Sequence, residues 1–100
     1  MRAVSLFDLD MAARALMAVP DGNDRHVLMQ DMLDEAHLAD RIRKGTGRSG
    51  LSGTVGSLAD VARRRQHVPR QDGCPTDYLA ALALVTHEIR SWRGRASRTS

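Results

Sequence analysis

Aromatic side chains are almost missing from this chain of 100 residues, which has one Phe, one Tyr and one Trp: Phe7, Tyr78 and Trp92. Its core must therefore be assembled from Leu, Val, Met and Ala, and a chain of this length can bury one modest core and no more. So thin a core raises the value of self-association as a source of stability. A single cysteine, Cys74, excludes an internal disulfide and a cysteine-built zinc site, and reads as a bystander in a reducing compartment. No run approaches 18 apolar residues, and Asp8 and Asp10 interrupt the apolar start of the chain. Neither a membrane span nor a secretion signal is expected, which assigns the chain to the cytoplasm. Nowhere do apolar and polar residues alternate for the length of a strand, and there is no internal repeat.

Lysine is nearly absent too, with one Lys beside 14 Arg, a usage that reflects GC-rich coding and lowers the weight of any one Arg cluster. The formal charge of +3 conceals an uneven distribution. Residues 1–40 hold three Arg against seven Asp and one Glu, whereas residues 41–100 hold eleven Arg and one Lys against three Asp and one Glu. An acidic half joined to a basic half suits a protein that meets nucleic acid or an acidic partner with one end, or pairs head to tail with its own copies.

What the chain does have is helical periodicity. Residues 24–44 lack Gly and Pro and predict one helix about 31 Å long at 1.5 Å per residue. Leu28, Met29, Met32, Ala36 and Ala39 fall on one face, flanked by Leu33 and Ile42. Val27 and Leu38 lie opposite that stripe, which makes them candidates for contact with another copy, or simply surface aliphatics. Upstream, residues 5–19 predict a helix opened by Ser5 with Asp8 in capping-box spacing and closed by Pro20. Its stripe is Leu9, Ala12, Leu16 and Val19, with Phe7 and Met11 pointing elsewhere. The Pro-Asp-Gly-Asn turn between the two helices predicts an antiparallel hairpin over residues 1–44.

Residues 45–56, GTGRSGLSGTVG, are too rich in Gly, Ser and Thr for regular structure and predict a hinge or mobile loop. A short third helix follows over 57–66, capped by Ser57, and HVPRQDGCP predicts a loop. The cleanest amphipathic helix spans 76–92, with Tyr78, Ala81, Leu82, Val85, Ile89 and Trp92 on one face. The polar, basic tail 93–100 is expected to be flexible. The fold class is accordingly all-α: a hairpin, a short helix and a C-terminal amphipathic helix, the last two forming a unit over 57–92.

No catalytic constellation emerges. A phosphate-binding loop would end in Gly-Lys-Ser/Thr after a strand, and neither is present. Asp34-x-x-His37 has the spacing of a carboxylate-histidine metal element, but di-metal bundles use that element twice, so a solvated acidic face over Asp31, Asp34, Glu35 and Asp40 is the simpler account. No nucleophile, base and orienting acid can be paired from spacing, and no enzyme, cofactor or metal is expected. The segment SLADVARRRQ is similar to the first helix of a repressor helix-turn-helix, yet nine residues with two prolines follow where that motif allows three or four. Arg63, Arg64 and Arg65, with Arg41, Arg43, Lys44 and Arg48 around the Gly-rich segment, are candidate phosphate contacts that would not read bases. A solvated basic surface is the alternative.

Taken together, VSLFDLDMAARALMAVPDGNDRHVLMQDMLDEAHLADRIRKGTG, GSLADVA and DYLAALALVTHEI resemble the short protein encoded at the head of the gene-transfer-agent cluster of alphaproteobacteria. That family is regarded as a small terminase subunit, the non-catalytic partner of the large terminase in headful DNA packaging. The resemblance covers nearly the whole chain. It implies a hairpin that assembles into a homo-oligomer, weak sequence-indifferent contact with double-stranded DNA through the basic region, and a C-terminal segment that engages the large subunit. The hairpin begins at Ser5, so the helix-turn-helix that usually precedes it in such proteins is not expected here, which puts site-specific recognition in doubt. The natural surface for the large subunit is then the stripe Tyr78, Leu82, Val85, Ile89 and Trp92. Two other classes remain: a DNA-reading transcription regulator, and an adaptor that binds protein and ignores DNA.

Overall fold

The computed structural model describes the backbone of residues 3–46 and 57–99 and the side chains of residues 3–42 and 57–95. Within these residues the chain is all-α, with α1 at Leu6–Met17, α2 at Asn23–Thr46, α3 at Leu58–Arg63 and α4 at Thr76–Thr99, and without a strand.

Helix α1 begins as its capping box predicts. The Ser5 hydroxyl accepts from the Asp8 amide at 3.2 Å, and the Asp8 carboxylate accepts from the Ser5 amide at 2.7 Å. The same carboxylate then does what spacing does not reveal: its other oxygen accepts from the Ala59 amide at 2.8 Å. Ser57 meanwhile takes the Asp60 amide at 3.1 Å, so two of the unpaired N–H groups of α3 are satisfied, one of them from another helix. At the far end of α1 the loose carbonyls are also met. Arg14 accepts from the Val68 amide, and Ala15 and Leu16 accept from Ala18 and Val19. The helix therefore stops at Met17, two residues short of the expected end.

The other helices gather around α1. It lies most extensively against α3 and α4 and less against α2. Ala12, Ala13, Ala15 and Leu16 are fully buried, and so is Met11 at 1% exposure, although its place on the helix pointed it away from the stripe. A helix covered on several sides has no single apolar face, and small alanines on α1, with Ala59 and Ala62 buried on α3, allow backbones to approach closely.

Helix α2 buries Met29, Met32, Leu33 and Ala36 as its period predicts, and leaves Val27 and Leu38 about half exposed on the opposite side. Two expectations fail there. Ile42, placed on the flank of the stripe, is exposed, and Asp40, assigned to a solvated acidic face with the exposed Asp31 and Asp34, is buried. The helix continues through Gly45 to Thr46, and the rest of the expected hinge lies outside the described residues.

Helix α3 ends at Arg63 rather than residue 66. Helix α4 runs past Trp92 to Thr99, where a flexible tail was expected. One glycine in that segment costs the helix about 1 kcal/mol, while Arg93, Arg95, Ala96 and Arg98 are good helix formers and basic residues suit a helix C-terminus. Ala81, Val85 and Ile89 carry α4 into the core.

Candidate interaction surfaces

Three polar joints hold α4 in place and define its free faces. At its start, the buried Arg25 of α2 donates to both oxygens of Asp77, at 2.9 and 3.2 Å, and to the Val19 carbonyl at 3.1 Å. The hydrogen bonds from Arg25, together with its charge, hold the Asp77 carboxyl below the usual range against an opposing effect of burial. The next residue, Tyr78, donates to Asp10 of α1 at 2.7 Å, and that bond, with partial burial and the neighbouring carboxylate charge, pushes the phenol above its ordinary pKa. In the middle, Glu88 is buried at 3% exposure and accepts from Gln30, with His26 Nδ1 at 2.8 Å from its other oxygen. Arg25 and Glu88 escaped the sequence reading because their partners lie 52 and 58 residues away. The only signal was register: Arg25 stands four residues before Met29, in line with the apolar stripe of α2, and Glu88 stands beside Ile89.

The stripe proposed to meet a partner is largely core. Val85 and Ile89 are buried between helices, and Tyr78, Leu82 and Trp92 are partly buried against the same cluster. The Trp92 ring meets His37 of α2 edge to face, with centroids 5.0 Å apart, so His37 serves packing here while Asp34 faces outward. The stripe can be lent to no partner in this arrangement without opening the core. Among the described residues no three His, Cys, Asp or Glu side chains gather in a metal-binding group.

Among the described residues, the apolar side chains that do face outward form two sets. Leu6 and Phe7, 83% and 56% exposed, line a groove of about 560 Å³ between α1 and α4. Leu9 and Leu82 complete its apolar wall; Asp10, Arg14 and Tyr78 supply polar groups; Arg70, Gln71 and Cys74 close it from the loop. Leu79, next to Tyr78, is about half exposed. The second set, Val27, Leu38 and Ile42, runs along the outer side of α2 with Asp31 and Asp34 between them.

The basic residues are distributed differently from their grouping in sequence. Arg63 pairs with Asp60 at 3.0 Å, and Arg64 and Arg65 both reach Glu35 of α2, at 3.4 and 2.7 Å. Each of the three thus has a carboxylate beside it. Arg41 is exposed on α2; the side chains of Arg43 and Lys44, and Arg48 as a whole, lie outside the described residues. No described helix is long and apolar enough to cross a membrane.

A small all-α protein with two separate exposed apolar sets on a buried alanine-rich core is the class that fold and surface define. The chain belongs to the family described as "Domain of unknown function (DUF7742)", which matches residues 2–89. No curated protein and no solved structure matches it.

Proposed function

We propose that this chain is a non-catalytic subunit of a DNA-packaging machine of the small-terminase kind, which joins copies of itself, touches duplex DNA weakly and recruits an ATP-driven large subunit. The sequence resemblance suggests the machine, and one structural observation carries the role: two sets of exposed apolar side chains lie on different helices. Scattered single aliphatics need no explanation on a protein surface, but Leu6 and Phe7 beside a groove form an apolar patch of the kind that marks a protein contact. An aromatic at the mouth of a pocket is the sort of side chain that dominates such contacts. The large subunit is therefore assigned to the α1–α4 groove, where Tyr78 and Leu82 still contribute, and self-association to the outer side of α2 through Val27 and Leu38.

Co-purification of the full chain with a large terminase subunit tests the reading. Wild type should be retained and Phe7→Glu lost, with unchanged helicity by circular dichroism. Failure of the wild-type chain to associate with the large subunit would overturn it.

A further inference from the structure

We propose that copies of this chain join head to tail, the outer face of α2 of one copy lying antiparallel on the outer face of α4 of the next. The proposal rests on the self-association in the function proposed above and supplies the surface that α2 meets. The two faces carry matching patterns. Along α2 the outward positions are Val27, Asp31, Asp34, Leu38 and Ile42; along α4, read from its C-terminal side, they are Gly94, Arg90, His87, Ala83 and Leu79. Both series advance by four, three, four and four residues, so the stripes keep the same helical register over about 22 Å at 1.5 Å per residue.

Paired in that order, each position meets its complement. Asp31 faces Arg90, and Asp34 faces His87, whose ring N–H donates to a carboxylate. Val27 faces Gly94 and Leu38 faces Ala83, so the branched aliphatics of α2 meet the positions of α4 with the least side chain, which lets two helices approach closely. Gly94 lies in a shallow depression of about 590 Å³ that His87 and Arg90 also line. A Cβ at Gly94 would meet nothing within 4 Å, which leaves room for Val27. Ile42 faces Leu79, and both are about half exposed. The charges are also unspent within the copy: among the described residues no ion pair holds Asp31, Asp34, His87 or Arg90.

Direction and partner follow from the same pattern. Four matched pairs survive if the helices run parallel, with Asp31 on His87 and Asp34 on Arg90, but Leu79 then falls opposite Asn23 and Ile42 opposite Arg98. The fifth pair therefore selects the antiparallel arrangement. Two copies of α2 do not fit each other, because the antiparallel register that sets Val27 on Leu38 sets Asp31 on Asp34, and like charges face to face are destabilising. Two copies of α4 in the register that sets Ala83 on Gly94 set His87 on Arg90, a cation with no carboxylate to meet. Each copy presents one face of each kind, so the contact is heterologous and recurs from copy to copy, which gives assemblies of more than two.

Light scattering of the full chain at high micromolar concentration, with circular dichroism to follow helicity, tests the arrangement through charge reversal. Wild type should exceed the mass of a dimer. Asp31→Arg and Arg90→Asp should each raise the concentration needed for assembly on the order of tenfold or more, since each sets like charges opposite one another. An equimolar mixture of the two variants should assemble again, because each offers the other an opposite charge at both contacts, and the doubly substituted chain should assemble by itself. Wild-type behaviour of Arg90→Asp would show that α2 meets some other surface, overturning the proposal while self-association stands. Tighter assembly of Asp31→Arg, the result expected of two apposed α2 helices, overturns it in the same way, and so do variants that stay apart when mixed. Variants that keep the wild-type mass but lose the large subunit would assign these faces to that protein and remove the second copy from them. A wild-type chain that is a monomer removes the self-association reading itself, and this contact with it.

Discussion

Asp8 shows how one side chain does the work of two. Its pairing with Ser5 is readable from three-residue spacing, because a capping box is a local device. Its bond to Ala59 is not, since 51 residues intervene and any of several acids had the right chemistry. Asp8→Ala should therefore cost more than an ordinary cap, about 3 kcal/mol, from loss of a cap worth roughly 1 kcal/mol and of a charge-assisted bond worth about 2 kcal/mol. Urea denaturation gives the number, and a loss below 1 kcal/mol would mean that α3 does not depend on Asp8. Arg25 and Asp77 carry a pH dependence of known sign. The folded carboxyl lies below its unfolded value, so the pair stabilises the protein above the ordinary Asp pKa of about 4, and that contribution disappears as pH falls through the lower, folded value. Asp77→Asn should accordingly be less stable than wild type at pH 7 and indistinguishable from it in strong acid. A stability difference independent of pH would show that Arg25 gains nothing from the charge.

Helices with one buried side are legible from sequence, and helices with several are not. The α2 stripe of Met29, Met32, Leu33 and Ala36 is buried as periodicity predicts, and the outward turn of Val27 and Leu38 follows from the same 100° step. For α1 the same reasoning chose Leu9, Ala12, Leu16 and Val19, yet Leu9 and Val19 are only partly buried while Met11, well off that stripe, is enclosed. Periodicity assumes one solvent side, and α1 has α3 and α4 packed extensively against it. Met11→Ala separates the two pictures: truncation in an enclosed site costs about 2–5 kcal/mol, whereas an outward methionine would change stability by no more than about 0.5 kcal/mol. At the other end of the chain, a flexible tail was expected from residue 93 on its polar, basic composition, which does not by itself stop a helix, and α4 runs on to Thr99 through Gly94. Its Cβ position is open, so Gly94→Ala should stabilise the helix by about 0.5–1 kcal/mol, read as a rise in melting temperature. A fall would mean that the helix end needs glycine's freedom.

At the scale of the whole molecule, the acidic and basic halves of the sequence are partly folded onto each other. Glu35 of the acidic half takes Arg64 and Arg65 of the basic half, and Asp77 takes Arg25 in the reverse sense. The asymmetry that suggested external partners is thus spent partly within the chain, while exposed apolar side chains remain on α2 and at the α1–α4 groove. These surfaces belong to different elements, and a subunit that joins both its own copies and a second protein requires such a separation. Leu38→Lys should lower the solution mass seen by light scattering without affecting capture by a large subunit. Phe7→Glu should do the opposite. Removing one buried aliphatic or aromatic contact is worth about 1.5–3 kcal/mol, or roughly tenfold to a hundredfold in association, enough to be measured in either assay. If either substitution abolishes both activities while circular dichroism is unchanged, the two sets act as one continuous interface, and the partner can bind only an assembled oligomer. If the wild-type chain is a monomer at high micromolar concentration, Val27 and Leu38 are surface aliphatics of the kind that needs no partner, and the self-association assigned to α2 falls.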